Sequence, residues 1–566
     1  MPTRGSCMSS NLIPSALDAS TQMFPGLTHA QIERIRAVST VRKINHGDVL
    51  FQPGDTGIPF FVMLSGTLEI LQPDARGEKI ITIHRAGEFT GELSMISGQR
   101  CLVLGRVGDA GEALELSPDG LRALIGRDAE LSEIIMRAFI LRRLTLITQH
   151  LGNVVLMGSG HSAATLALRE FLSRNGHPYT YVDLDRDKMS QELLDRFSVK
   201  LEDVPVVICN SRNVLRNPSI RELADCLGLN VGVDGSQIRD LIIVGAGPAG
   251  LAAAVYAASE GLDALLIETA APGGQAGSSS KIENYLGFPT GVSGQELAAR
   301  AITQAQKFGA KMIVARSVVK LHCNQRPYRV ELDDGSSLAA RAIVIATGAQ
   351  YKKPALENLK RFEGLGVYYG ATYIESQLCG DDDVIVVGGG NSAGQAAVFL
   401  SQTARKVYML VRSGGLADTM SRYLIQRISD NPDIELHVNT EIVGLHGDTQ
   451  LERVDWREKA TGTISSHNIR HVFIMAGASP RTEWLRGCVA MDDKGFILTG
   501  RDLELNGGRN GASAWPITRA PLMLETSLPS VFAVGDVRAG NVKRVASAVG
   551  EGAISVSLVH RALAEN

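Results

Sequence analysis

Two glycine-rich turns hold the residues of this chain best suited to chemistry. The first, Gly245-Ala246-Gly247-Pro248-Ala249-Gly250, follows the apolar run Leu241-Ile242-Ile243-Val244. The second, Gly388-Gly389-Gly390-Asn391-Ser392-Ala393, follows Val384-Ile385-Val386-Val387. Glycine permits the tight bend and lets backbone N–H groups approach a pyrophosphate. The helix that follows then turns its positive end toward that phosphate. Gly245, Gly247, Pro248 and Ala249 are the candidate binding residues of the first turn, and Gly388, Gly390, Asn391 and Ser392 those of the second. Two such turns imply two dinucleotides, and the chemistry that pairs them is electron transfer from a nicotinamide to a flavin. The next strand of each unit ends differently. Leu265-Ile267 runs into Glu268, an acid placed to accept from ribose hydroxyls, whereas Val407-Leu410 runs into Val411-Arg412. A cation without an acid attracts a 2′-phosphate, so the second turn favours NADPH over NADH. The competing reading of Arg412 is a solvated surface residue.

The elements that must position these residues need a large chain. At 566 residues, three or four domains of about 150 residues are expected. The formal net charge of −3 argues against a general nucleic-acid binder, which needs a basic face to release counterions. Residues 1–22 contain no apolar run long enough for a secretory signal. The apolar stretch Leu241–Ser259 approaches membrane-spanning length, but its glycines and Pro248 make it a buried strand, turn and helix, so no membrane contact is expected. The seven cysteines are scattered. That suits a reducing cytoplasm and leads us to expect neither a disulfide framework nor a metal site.

Along the chain the fold class reads as multidomain. Residues 1–22 are small and polar and read as a flexible N-terminus. Residues 23–150 carry short strands between turn residues, among them Val49–Phe51, Phe60–Leu64 and Thr67–Leu71, then helical periodicity over Leu121–Gln149. This is the texture of a β-barrel or jelly roll with helices. Residues 151–236 alternate strand and helix: Val154–Met157, the helix Ala163–Arg174, Tyr179–Leu184 and Val206–Ile208. They form a small α/β unit that ends in the linker Val231–Ser236. From about Ile238 the pattern is doubly wound, a Rossmann-like α/β fold with two dinucleotide-binding domains.

Residues 238–566 resemble low-molecular-weight thioredoxin reductases, within the FAD- and pyridine-nucleotide-dependent disulfide oxidoreductases. The matching segments keep the family order. After the first turn come Gly273-Gly274-Gln275, Ile282-Glu283-Asn284-Tyr285 and Ile345-Ala346-Thr347-Gly348. Then follow the second turn, Val531-Phe532-Ala533-Val534-Gly535-Asp536-Val537 and Lys543-Arg544-Val545-Ala546. The resemblance implies an FAD-binding domain split over 238–353 and 481–566, with an NADPH-binding domain at 354–480 inserted between. It places Gly274, Gln275, Asn284, Thr347 and Gly348 along FAD, Asp536 on the ribityl chain, and Val545 and Ala546 at the isoalloxazine; taken alone, Asp536 also reads as a turn acid. It further implies a homodimer, and rotation of one domain against the other to bring nicotinamide to flavin.

The chain departs from that family at its chemical centre. Where thioredoxin reductases carry Cys-Ala-Thr-Cys, this sequence reads Gly370-Ala371-Thr372-Tyr373. Neither Gly370 nor Tyr373 supplies a thiolate, so no catalytic residue is assigned. Cys379 lies nearby but is alone and reads as structural. The family's arginine pair for the 2′-phosphate is reduced to Arg412-Ser413. Relatives without the dithiol reduce ferredoxin or flavodoxin. A quinone, oxygen or a thiol protein are the other acceptors left open.

Residues 151–236 weakly resemble a thioredoxin or glutaredoxin fold, through Val204-Pro205-Val206, but no cysteine follows the first strand. A docking or spacer module is therefore expected. Residues 24–150 resemble a cyclic-nucleotide-binding domain. Gly91, Glu92 and Leu93 match its phosphate cassette, with Glu92 toward the ribose 2′-hydroxyl and Arg100 toward the cyclic phosphate; Cys101-Leu102 replaces the usual small pair, and a ligand-free regulatory barrel is the alternative. The function expected is an NADPH-dependent FAD oxidoreductase with a cyclic-nucleotide-type regulatory domain. Two alternatives stand beside it: a nucleotide- and flavin-binding sensor without turnover, and a thioredoxin reductase that uses other cysteines.

Overall fold

The computed structural model describes residues 22–74, 77–148, 154–160, 162–185, 203–209, 213–230, 235–417, 420–505 and 515–565. The expected flexible N-terminus falls outside them except for Gln22, as do residues 231–234 of the linker. The chain forms two compact units. One holds residues 1–154 with two short later stretches, and the other holds 155–177, 181–209 and 213–566.

In the first unit, Gly111–Leu116 pairs antiparallel with both Thr40–Ile44 and Phe60–Met63. A second antiparallel sheet holds Val49–Phe51, Leu104–Asp109, Thr67–Asp74 and Gly77–His84, in that order. The sheets enclose an aromatic core in which the rings of Phe60, Phe89 and Phe139 lie 5.5–6.4 Å apart. The single helical stretch expected after the barrel is two helices, Pro118–Arg127 and Ala129–Thr148. Asp128 breaks it: its backbone is extended (φ −110°), and its carboxylate accepts from Leu131 N at 3.0 Å, capping the second helix.

The second unit contains three sheets that matter for the site. A four-stranded sheet in the small α/β region runs Asn213–Arg216, Val206–Cys209, Val154–Gly158, Thr180–Asp183. The Val204–Pro205 bond beside it is cis. A seven-stranded sheet has the parallel core Lys311–Val314, Ala264–Glu268, Ile238–Val244, Ser337–Ile345, Val531–Ala533. Leu241, Ile242 and Ile243 are fully buried in it, as expected of a parallel strand covered on both faces. A five-stranded parallel sheet is centred on Asp383–Val387, between His471–Ile474 and Lys406–Val411. The chain crosses between these two sheets twice, and the crossings pair antiparallel as Ala349–Tyr351 with Ala478–Pro480. Among the described residues, no helix is long and apolar enough to cross a membrane, and no side-chain cluster could hold a metal ion.

The expectation of no disulfide is corrected. Cys323 and Cys488 are bridged across 165 residues of sequence, with Cα atoms 5.9 Å apart. Cys323 follows the strand Val318–His322, and Cys488 follows the 3₁₀ turn Glu483–Leu485 packed beside it. The pairing thus comes from the return of the chain to the first sheet, which cysteine spacing cannot show.

Candidate active site

Both glycine turns sit between a parallel strand and a helix, and they open into one cavity of about 1180 Å³. The first turn is held by hard contacts. Gly245 has φ +103°, and a Cβ there would lie 2.4 Å from Ala346 O. A Cβ on Gly250 would lie 1.8 Å from Gly245 O, so only glycine lets the helix Pro248–Ser259 start this close to the strand. Glu268 is pinned at the edge: one carboxylate oxygen accepts from Ala246 N at 2.8 Å and the other from Ala270 N at 3.1 Å. Each oxygen keeps a lone pair for a hydroxyl.

The second turn is looser. Gly390 caps the helix Asn391–Leu400, and a Cβ there meets nothing within 4 Å. Asn391 is engaged, its Oδ1 accepting from Ser421 N at 2.8 Å. Ser392 and Tyr351 both line the cavity, and burial raises the Tyr351 phenol pKa. Arg412 is exposed and makes no hydrogen bond or ion pair among the described residues.

The residues named from sequence for the two cofactors all line this cavity except Ala546, which sits on the final helix Val545–Ala564 beside the lining residues Val545 and Ala548. Thr347 Oγ1 donates to Arg481 O at 3.0 Å, and Gly348 has φ +66°. The Asp536 carboxyl faces the cavity with no protein hydrogen bond, and burial raises its pKa. A half-buried carboxyl without a protein hydrogen bond in a glycine-lined cavity suits a polyhydroxyl ligand. Glu551, which the sequence reading missed, fixes this turn: it accepts from Gly535 N at 2.7 Å and from Arg538 at 2.5 and 3.1 Å. The reading also missed Glu170, Arg174, Tyr369 and Glu375, which line the same space.

Gly370 and Thr372 line the cavity where the dithiol would stand. Thr372 caps the helix Tyr373–Leu378, and Glu375 closes the capping box. Burial raises the Glu375 carboxyl pKa. No cysteine lines the cavity among the described residues. Cys379 is fully buried, its Sγ donates to Glu375 O at 3.1 Å, and burial raises its thiol pKa. Cys323 and Cys488 pack instead against the opposite core of the first sheet, with Leu321 and Trp484.

In the first unit, Gly91 has φ +107°, and a Cβ there would lie 2.6 Å from Met95 Sδ and 2.7 Å from Phe139 Cζ. Glu92 Oε2 lies 3.4 Å from Arg143 Nη1, while Oε1 is buried without a partner. Leu93 leads into the short helix Ser94–Ser97. Arg142 donates to Gly91 O at 2.8 Å and stacks on Phe24 and Phe89. Arg100 is half-buried and has no hydrogen bond or ion pair among the described residues. Cys101 beside it is buried, its thiol pushed up to about 12.

Comparison with known proteins agrees with this geometry. The model of the pyridine nucleotide-disulphide oxidoreductase family matches residues 239–552, and the cyclic nucleotide-binding domain model matches 41–128. A thioredoxin reductase from Mycoplasmopsis pulmonis is 31% identical over 328 residues, 56% of this chain and 96% of that protein. One from Streptomyces clavuligerus is 32% identical over 330 residues, 58% of this chain and 95% of that protein. The solved thioredoxin reductase of Lactococcus lactis superposes with a TM-score of 0.51 at 25% identity, covering 58% of this chain and all of that one (100%). That of T. acidophilum gives 0.50 at 28%, covering 57% and 99%. The chain belongs to the pyridine nucleotide-disulphide oxidoreductase family and carries an N-terminal cyclic nucleotide-binding domain. It is a thioredoxin reductase-like, NAD(P)H-dependent flavoprotein enzyme of a family that uses FAD and NADPH.

Proposed function

We propose that this chain oxidises NADPH through FAD and delivers the electrons from the flavin directly to an external acceptor, without a protein dithiol. The observation that carries this is a cavity lined by no cysteine among the described residues: the family's two dithiol positions are Gly370 and Tyr373, and the nearest cysteine in sequence, Cys379, is buried with a raised pKa. A buried thiol with a raised pKa is a poor nucleophile. When bound, FAD accepts a hydride and releases electrons singly or in pairs. The chain's own residues bind and orient. The helix starts after Gly247 and Gly390 hold the two pyrophosphates, Glu268 and Asp536 take ribose and ribityl hydroxyls, and Gly274, Gln275 and Asn284 lie along the flavin. Arg412 takes the 2′-phosphate. On this reading the flavin domain is 238–353 with 481–566, and the nucleotide domain is 354–480. The acceptor is a ferredoxin, a flavodoxin, a quinone or another oxidant that meets the flavin itself.

Residues 23–150 act as the regulatory domain, with Glu92 Oε1 and Arg100 as the unengaged pair that a cyclic nucleotide would fill. Residues 151–236 act as a thioredoxin-like module without redox chemistry, a reading supported by the sheet order in which Val154–Gly158 lies between Thr180–Asp183 and Val206–Cys209. A homodimer, as the family resemblance implies, and a cytoplasmic location complete the reading.

The test is anaerobic mixing with NADPH after alkylation of all accessible thiols. Flavin absorbance is expected to bleach, and turnover with an added acceptor to match the untreated enzyme. Loss of turnover on alkylation would return the reaction to cysteine chemistry.

A further inference from the structure

The helix Ala163–Arg174 belongs to the small α/β region, yet it touches both halves of the oxidoreductase. At its start, Ala163 Cβ stands 2.7 Å from where a Cβ on Gly364 would be, so Gly364 (φ +75°) is the seat that admits it. Further along, Glu170 lines the cavity, and its charge contributes to the raised pKa of Glu375. At its end, Arg174 reaches the loop that contains Gly273-Gly274-Gln275. Its Nη2 donates to Ala271 O at 3.0 Å, to Pro272 O at 3.4 Å and to Gly274 O at 3.0 Å, while Nη1 pairs with Glu170 at 3.2 Å. The neighbouring Ser173 O accepts from Gln295 Nε2 at 2.8 Å.

Gly273 N ties this loop to the first turn by donating to Ala246 O at 2.7 Å, but the Ala271, Pro272 and Gly274 carbonyls face Arg174. Gly273 and Gly274 are both left-handed, at φ +103° and +55°, conformations that glycine enters and leaves without steric penalty. Three carbonyl oxygens converge on one point and repel one another unless a donor faces them. A guanidinium supplies a fixed fork of donors and a full charge, and hydrogen bonds to a charged group are the stronger kind. Gly274 also packs on the first turn, since a Cβ there would come 3.0 Å from Gly247 Cα. Whatever holds the 271–274 carbonyls therefore holds the mouth of the first dinucleotide site.

The small region is itself fixed at other points. Arg316 forks onto Asp225 at 2.8 and 3.0 Å, and Asn230 exchanges two hydrogen bonds with the backbone of Val314 at 2.8 and 2.9 Å. Both contacts lie at the edge strand Lys311–Val314, whose Val314 pairs with Glu268 behind the first turn. They anchor the module, and among its described residues Arg174 is the one that hydrogen-bonds the 271–274 loop.

We propose that Arg174 is a positioning residue for the flavin, supplied by the small domain, which is thereby a built-in wall of the flavin site and not a mobile carrier. The proposal rests on the reading of the 273–275 loop as the flavin-binding loop. That reading is checked separately, by whether the unmodified full-length protein binds FAD at all.

The test uses full-length apoprotein titrated with FAD, followed by flavin fluorescence, then rapid anaerobic mixing with NADPH. Arg174→Ala is expected to raise the FAD dissociation constant at least about tenfold, equivalent to about 1.4 kcal/mol. It is also expected to slow flavin reduction at saturating NADPH severalfold, with the NADPH concentration for half-maximal rate unchanged. Arg174→Lys is expected to recover only part of the affinity, because the shorter side chain lacks the second nitrogen that pairs with Glu170 and steadies the group against the carbonyls. Asp225→Asn, which loosens the module at its Arg316 side-chain anchor and leaves the Arg174 contacts intact, is expected to leave FAD affinity within twofold of the parent. Unchanged FAD affinity in Arg174→Ala overturns the proposal. So does an equal loss in Asp225→Asn, which would reduce Arg174 to one docking contact among several. If Arg174→Ala fails to fold, Arg174→Lys carries the test, and wild-type affinity in it overturns the proposal.

Discussion

Gly250→Ala adds one methyl group to a chain of 566 residues and should empty the flavin site. The added Cβ would lie 1.8 Å from Gly245 O, 3.0 Å from Gly245 C and 3.3 Å from Ala346 Cβ. Two of those atoms are backbone in the tight first turn, so no side-chain rotation relieves the overlap. The helix Pro248–Ser259 must move away from the strand Ile238–Val244. Overpacking of this kind costs about 3 kcal/mol at the upper end of its usual range. If that cost falls on the conformation that binds FAD, affinity drops about a hundredfold. The second turn supplies the control. The position corresponding to Gly250 is Ala393, whose methyl is fully buried without conflict. Gly390, with φ −94° and open space where a Cβ would go, tolerates alanine in the fold. Gly390→Ala should therefore keep its FAD and melting temperature, and lose NADPH affinity because the methyl projects into the cavity. The assay is FAD content per purified chain, thermal melting, and NADPH titration of both variants. A Gly250→Ala protein that purifies yellow, with wild-type flavin content, would refute the packing argument.

Three further perturbations probe other sites. Arg412→Ala should raise the KM for NADPH about tenfold, the loss expected for one charge-assisted contact, with little change for NADH; equal effects on the two coenzymes would remove its 2′-phosphate role. Arg100→Ala should abolish binding of cyclic AMP or cyclic GMP, measured by calorimetry, and leave FAD content unchanged; retained affinity would show that the cassette lies elsewhere. His84 is buried, and desolvation lowers its pKa below the ordinary 6.5, with Arg142 acting in the same direction and Glu88 opposing. The unfolded chain therefore binds the proton more readily. The stability contribution of neutral His84 is complete above about pH 6.5 and lost as pH falls toward its folded value. Melting of the first unit should weaken with acid in the parent, and less steeply in His84→Leu.

What the sequence disclosed was local in kind. The apolar runs, the glycines after them and the residue that ends the next strand lie within one βαβ unit, so their spacing carries the geometry. Glu268 and Arg412 could be named for that reason. Where the outcome differs, a side-chain cap or a distant partner decides. Asp128 splits an apparently continuous helix because its carboxylate caps the next turn at Leu131. Cys323 and Cys488 meet because the chain returns to the first sheet after the inserted domain. Glu551 and Arg538 buttress Asp536 from the final helix and the turn before it, and Arg142 and Arg143 reach the 91–92 segment from a helix some fifty residues later. Glu551, Arg538, Arg142 and Arg143 are surface-type residues in composition, and nothing within their own elements marks them.

The two missing cysteine centres gain meaning from being missing together. In a relay through sulfur, the reductase passes electrons to a dithiol and a thioredoxin-type partner carries them onward. This chain has no dithiol at Gly370–Tyr373 and no cysteine in Gly158-Ser159-Gly160-His161-Ser162, where a thioredoxin-like module would need one. Loss of one centre alone would leave its counterpart without a partner. Loss of both leaves a module free to take a mechanical role, and Arg174 on the flavin loop gives it one. A carrier must leave its reductase to do its work; a wall must stay. Arg316 Nη2, which donates to both Asp225 oxygens, and the Asn230–Val314 exchange hold the small region at one edge strand while Arg174 holds it at the 271–274 loop, which is the arrangement a wall requires and a carrier cannot use.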